Sequence, residues 1–387
     1  MNPRPWICCV EINHHNKAYY LNQFDGFERL DPLVVVWRDE RDRNLPPTDE
    51  LECEVLGEAW SPGGPVMSRL VRQIGRVAPR LATSNFSATR RLTQRLDELA
   101  DSRPPSLIYA HTGFVAVKLA RFAREHDIPL VAHFHGLDVT LTDRSYRRLL
   151  VGTLPSLAQI IVVGEWMVDE MVELGATRSK IHVVPMGIEI PESAIADEMA
   201  DRRTDHFVTV GRLVACKGVD RVLHAFAHVR ESHPNATLSI VGDGPEKPAL
   251  ESLAAHLDLG DSVSFTGAVS SAEALEQIRG AGVMVHHAVD EDGGPEAFGL
   301  VVTEAMAAGL PVIASRCGGL PDQVRDGVTG ILVDQNDISA TAEAMTGLIE
   351  DPLRARVLGE AGRARAAECF SSARLAREVE AVLSAVS

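Results

Sequence analysis

Two doubly wound α/β domains are the fold the sequence predicts, and three observations predict it. Short β-branched runs recur along the chain with amphipathic stretches between them, the alternation that builds parallel sheets covered by helices on both faces. One polar, acidic tract, residues 189–205, "EIPESAIADEMADRRTD", interrupts the series without a strand. And 387 residues are more than a single hydrophobic core usually organises.

In order, the first half offers "WICCV", "LVVVW", "LIYAH", "PLVAHFH", "QIIVV" and "IHVVP" as strands. The second half offers "FVTV", "TLSIVG", "SVSF", "VMVHH", "PVIAS" and "GILV". Between them, Ala116–His126, Asp220–Arg230, Pro248–Leu257 and Ala272–Arg279 have helical spacing of apolar residues. The domains are set at 1–188 and 206–365, joined by the linker 189–205, with residues 366–387 carrying a last helix over Ser371–Val386. Ligands of such sheets bind beyond the carboxyl ends of the strands, and two such edges facing each other across a cleft are expected.

Composition narrows the function. Charged residues are 24% and hydrophobic residues 45%, ordinary for a soluble globular chain. The net charge of −16 speaks against a general nucleic-acid binder. Charge is uneven, however: Arg69, Arg72, Arg76, Arg80, Arg90, Arg91, Arg95 and Arg103 face only Asp97, Glu98 and Asp101. This segment, 69–103, is either a solvated helical face or a patch for an anionic membrane or acceptor. Cys8, Cys9, Cys53, Cys216, Cys317 and Cys369 have no paired metal-ligand spacing and read as reduced, buried thiols of an intracellular protein. Neither a signal peptide nor a membrane-spanning run is legible, so the expected place is the cytoplasm, at most on a membrane face.

Three stretches carry possible chemistry. "PEAFGLVVTEAMAAGLP", residues 295–311, holds Glu296 and Glu304 in an otherwise apolar context. Gly293, Gly294 and Pro295 put Glu296 in a loop, and a helix starting near Gly299 carries Glu304 on its first turns. "VTVGRLVACKGVD", residues 208–220, runs from a strand through Gly211 and Arg212 into a helix opening at Lys217–Gly218. A helix N-terminus flanked by Arg and Lys suits a diphosphate. A plain strand-to-helix turn with two surface cations has the same appearance, and both readings stand at this point. The spacing is not that of a Walker A loop.

"SIVGDGPEKPAL", residues 239–250, is a second strand ending in a tight turn at the same sheet edge. "PLVAHFHGLDVT" puts His133 and His135 on one strand face. A metal pair is conceivable there, but no companion carboxylate–His set supports it, and a polar contact from His135 is preferred. Asp290 and Asp292 form a literal Asp-x-Asp. Arg212 and Lys217 already neutralise a diphosphate, so this pair is read as an acidic loop and no metal or other cofactor is expected.

Taken together, Glu296/Glu304, Arg212/Lys217, "VGDGP", "FTG" at 265–267 and "EAMAAGLPVIAS" resemble the retaining glycosyltransferases of family 4, which have the GT-B fold. "YAHTG" at 109–113, "AHFHGLD" at 132–138 and "VVPMGIE" at 183–189 extend the resemblance, more weakly, into the first half. The resemblance implies two Rossmann-like domains and a C-terminal helix crossing back to the first. It implies a hexosyl donor, UDP- or GDP-linked, and a glycan or lipid-linked acceptor of cell-surface polysaccharide or glycoconjugate assembly. It gives Glu304 the ribose hydroxyls, Glu296 the donor sugar, and His135 a place near that sugar. Arg212, Lys217 and the amides of Phe298, Gly299 and Leu300 would hold the diphosphate, with Gly211, Gly242, Gly244 and Gly267 shaping the pocket. His14, His15, His111 and Asp138 fall on the acceptor side. Retention of anomeric configuration, by a front-face route, is also implied.

Two departures from the family pattern stand out. "EINHHNKAYYLN" replaces the Gly-Gly loop that many relatives carry after the first strand, and His286 and His287 stand where small residues are usual. The histidine pair reads as strand-end packing. A sugar-nucleotide epimerase of similar fold and a non-catalytic binding protein are the rival readings. The first wants acid–base groups around the sugar that are not identifiable, and the second fits poorly with so complete a set of polar residues.

Overall fold

The computed structural model describes residues 4–12, 27, 30, 33–39, 53–55, 90–141, 143–190, 202–291 and 294–386. The chain divides into two compact units, Met1–Val184 with Ser372–Ser387, and Pro185–Ser371.

In the first unit, β1 (Arg4–Ile12), β2 (Leu33–Asp39), β3 (Cys53–Val55), β4 (Pro105–Ala110), β5 (Leu130–Phe134), β6 (Gln159–Val162) and β7 (Ile181–Val183) form one sheet. Their order is β3-β2-β1-β4-β5-β6-β7, and every pair is parallel. In the second, β8 (His206–Val210), β9 (Thr237–Val241), β10 (Val263–Gly267), β11 (Val283–His286), β12 (Val312–Ser315) and β13 (Ile331–Val333) follow the order β10-β9-β8-β11-β12-β13, again all parallel. Each sheet therefore reverses its order once, at β1/β4 and at β8/β11. Crevices at such reversals are where doubly wound sheets take their ligands.

Every apolar run named from sequence is a strand, because both faces of a parallel sheet are buried and the strands become continuously apolar. β3 was missed: it is three residues long, and Glu54 breaks its apolar character. The helices explain the rest of the pattern. Helix Val219–Ser232 buries Val222, Leu223, Phe226 and Val229, a one-sided 3.6-residue stripe. Phe226 meets Phe207 of β8 edge-on at 6.1 Å, and burying such a side chain contributes about 1.5–3 kcal/mol.

The last helix, Ser372–Ser384, belongs to the first unit. Leu375, Val379, Val382 and Leu383 pack with Ile7, Leu107, Tyr109, Val131 and Ile161. The carboxylate of Glu380 accepts the Leu30 N–H at 2.8 Å. Among the described residues, Cys8, Cys216, Cys317 and Cys369 form no disulfide; Cys8 and Cys317 are buried as expected, whereas Cys216 and Cys369 are partly exposed. Among the described residues no helix is long and apolar enough to cross a membrane. Most of the Arg-rich segment, and His14 and His15, lie outside the described residues. Of that segment, Arg95 pairs with Glu98 one helical turn away on an exposed face.

Candidate functional site

In the second unit the reversal between β8 and β11 assembles most of the polar residues. β8 ends at Val210, and the chain passes Gly211 and the exposed Arg212 into a turn that places Lys217 before the helix Val219–Ser232. β11 ends at His286, and the loop beyond it delivers Glu296. Close backbone approach locks these strand ends together. A Cβ on Gly242 would lie 2.0 Å from the Gly211 carbonyl oxygen, and one on Gly218 would lie 1.9 Å from that of His287. Gly211 N–H donates to Val241 O at 2.9 Å and Gly242 N–H to Gly267 O at 3.1 Å. Gly211, Gly242, Gly244 and Gly267 are thus fitted to one edge of one sheet.

Lys217 Nζ donates to Glu296 Oε2, and His286 Nε2 lies 2.9 Å from the same oxygen. The lysine and glutamate side chains keep 24% and 11% of their exposure, so this ion pair is reachable from solvent, whereas His286 is buried. Oε1 of Glu296 has no partner among the described residues. Burial alone would raise the Glu296 carboxyl. The hydrogen bond and charge of His286, and then those of Lys217, outweigh it and hold the group down at about 2.

The loop and helix predicted at this place are both present. Gly299, at φ 75°, turns the chain into helix Leu300–Ala307 without a side-chain cap. The Val302 N–H returns to Gly299 O at 2.9 Å, while those of Leu300 and Val301 have no partner among the described residues. Phe298 is buried against Phe370. Glu304 points from the helix with no side-chain partner among the described residues, and burial pushes its carboxyl up to about 7. Two glutamates of one motif therefore have opposite protonation tendencies. Asp290 is exposed on the loop after β11, its N–H donating to Gln335 Oε1 at 2.7 Å, while Asp292 lies outside the described residues.

The structure splits the histidine pair at the end of β11. His287 is structural, as read: Thr341 Oγ1 meets its Nδ1 at 3.0 Å and the Asn336 N–H donates to its Nε2 at 3.0 Å. His286 is not merely packing, because it touches Glu296. Sequence reasoning also missed Gly318 and Gly319. The Gly319 N–H donates to Glu296 O at 2.9 Å, and a Cβ on Gly318 would stand 2.1 Å from that oxygen. The signal available was position: His286 is the last residue of a strand at the sheet reversal.

The corresponding edge of the first unit holds a different arrangement. β4 and β5 are neighbours, so His111, His133 and His135 emerge side by side, with a nitrogen of each within 4.8 Å of the others. His135 Nε2–H donates to His111 O at 3.0 Å, and the Tyr109 hydroxyl lies 2.7 Å from His133 Nδ1. Burial lowers all three imidazoles, His135 to about 4, so they are neutral at pH 7. His111 is fully buried, while His135 keeps an exposed edge.

Asp138 is buried too. One carboxylate oxygen accepts the N–H groups of His135 and Gly136 at 2.9 and 3.1 Å, and the other that of Gly113 at 2.8 Å. It therefore fixes the loop that carries His135 instead of presenting a free carboxylate. Burial raises its carboxyl to about 6, against the pull of those amides.

Comparison with known proteins agrees with this architecture. Glycosyl transferases group 1 matches residues 194–365 and Glycosyltransferase Family 4 matches residues 46–191. The GDP-mannose-dependent alpha-(1-6)-phosphatidylinositol monomannoside mannosyltransferase of Mycolicibacterium smegmatis is 27% identical over 334 residues, covering 71% of this chain and 85% of that protein. The D-inositol 3-phosphate glycosyltransferase of Streptomyces avermitilis is 35% identical over 220 residues, 52% of this chain and 46% of that one. Among solved structures, Anabaena HepE in complex with UDP superposes with a TM-score of 0.76 at 21% identity, covering 99% of this chain and 100% of that one. The sucrose-phosphate synthase of Thermosynechococcus elongatus does so with a TM-score of 0.78 at 20% identity, covering 100% and 99%.

Proposed function

The chain belongs to family 4 of the glycosyltransferases, with the GT-B fold, and we propose that it moves a hexosyl unit from a UDP- or GDP-sugar to a glycan or lipid-linked acceptor. The observation that carries the reading is the ion pair Lys217–Glu296 at the β8/β11 reversal, beside an uncapped helix N-terminus and the unpartnered Glu304.

The parts fit the steps of such a transfer. Glu304 accepts from the vicinal ribose hydroxyls, which a carboxylate binds bidentately. Lys217, Arg212 and the amides of Phe298, Gly299 and Leu300 hold the diphosphate. Glu296 Oε1 accepts from hydroxyls of the donor sugar. As the anomeric C–O bond breaks, negative charge grows on the diphosphate oxygen, and these fixed cations and dipoles stabilise it without a metal. The acceptor hydroxyl attacks from the same face, its proton passing to the departing oxygen, so configuration is retained. His135 has a part in turnover as a neutral group.

A relative named for GDP-mannose and a phosphatidylinositol mannoside, and a neighbour solved with UDP, support this class of donor and acceptor. Cell-surface glycoconjugate assembly on the cytoplasmic membrane face, with the Arg-rich segment against anionic lipid, follows from the same reading.

The test is nucleoside diphosphate release from a panel of UDP-, GDP-, ADP- and dTDP-sugars, with and without acceptor and with and without EDTA. Acceptor-stimulated release from one donor, insensitive to EDTA, is the expected result. Donor turnover to an isomer without acceptor would replace the reading by the epimerase. Loss of release in EDTA would bring Asp290 and a metal into the site.

A further inference from the structure

Glu296 is held by two partners of different character. Lys217 stands on a short turn, a quarter exposed, and its ammonium is the cation the diphosphate requires. His286 is buried at the end of β11, paired in register with Ala314 of β12, and has no such second duty. Both contact Oε2, while Oε1 has no described partner. The backbone at Glu296 is independently fixed by Gly318 and Gly319.

We infer that His286 is the positioning residue that keeps Glu296 aimed at the donor sugar when Lys217 leaves it for the diphosphate. This rests on the donor-site reading above. In the empty site the ammonium and the carboxylate neutralise each other. When a nucleotide sugar enters, the diphosphate draws Lys217 away, and the His286 Nε2–H bond alone holds Oε2. Glu296 Oε1 then remains oriented toward the sugar hydroxyls. A glutamate on a glycine-rich loop with no such anchor would lose rotamer order at the moment it is needed. His286 thus acts on the sugar half of the donor and not on the nucleotide half.

Separating those halves is the test. Calorimetry would measure binding of UDP, GDP, UDP-glucose and GDP-mannose to the wild type and to His286→Leu, His286→Gln and His286→Asn, with a melting temperature for each. For the nucleotide the protein accepts, His286→Leu should bind the free diphosphate within about twofold of wild type. Its sugar nucleotide should bind at least about tenfold more weakly, as for a lost hydrogen bond to a charged group. Gln places an amide N–H near the position of Nε2 and should recover sugar-nucleotide binding to within about threefold. Asn is a bond shorter and should behave as Leu; if the Leu variant does not fold, the Gln–Asn contrast carries the test.

Glu296→Gln should bind the free diphosphate several times more tightly than wild type, because Lys217 is no longer engaged, while binding its sugar nucleotide no better. Equal weakening of both ligands in His286→Leu, or failure of Gln to recover what Asn loses, would overturn the positioning role. If the wild type binds none of the four ligands, the donor-site reading falls first and takes this inference with it.

Discussion

The carboxyl-end edges of the two sheets are built on the same topology and used in opposite ways. In the first unit the polar groups are buried, and none is a free charge: three neutral imidazoles side by side, and a carboxylate occupied by the amides of Gly113, His135 and Gly136. In the second, Lys217, Arg212 and an ionised Glu296 are charged and partly reachable. Glu304 has no side-chain partner among the described residues, and burial raises it to about 7. Charge left available at a sheet reversal suits a charged ligand; buried neutral groups and an occupied carboxylate offer it no such charge. On electrostatic grounds the contrast favours the proposed placement of the diphosphate at the second unit.

Substitutions on the two edges should therefore fail differently. Glu296→Ala should lower turnover at least about a hundredfold with folding intact, as for loss of a preorganised polar group. Lys217→Ala should cost at least about tenfold in turnover, the scale of one charge-assisted contact. Near-normal turnover in a folded Lys217→Ala protein would remove its role.

Glu304 gives the comparison a pH axis. Its folded value, about 7, lies above the ordinary 4.5 because burial disfavours the carboxylate. The protonated form therefore predominates below pH 7, and ribose recognition strengthens as pH rises through 7. Nucleoside diphosphate affinity should grow by up to about tenfold between pH 6 and 8, and Glu304→Gln should flatten the profile. Glu296, at about 2, contributes no such dependence in this range.

The smallest effect belongs to the first unit. Asp138→Asn leaves one oxygen where two served three amides, and should destabilise the fold by about 1–3 kcal/mol, read as a lowered melting temperature with diphosphate affinity unchanged.

The sequence made most of this architecture legible, for reasons that can be named. Buried parallel strands must be apolar runs, and Gly299 announces the turn into the helix of Glu304. The roles of His286 and Asp138 were not legible. His286 is one of two adjacent histidines, and only the register of β11 decides which meets Glu296 and which meets Thr341. An Asp after His-Gly-Leu looks like a site acid until the Gly113 amide, 25 positions away, is seen to need it. Both facts depend on long-range neighbours that spacing alone does not encode.

The most direct test of the two-edge account is equilibrium binding of UDP and GDP to the wild type, Lys217→Ala and His135→Ala. The account predicts that Lys217→Ala weakens the preferred diphosphate at least about tenfold and that His135→Ala leaves it within about twofold. Equal loss in both variants, or loss in His135→Ala alone, would contradict it.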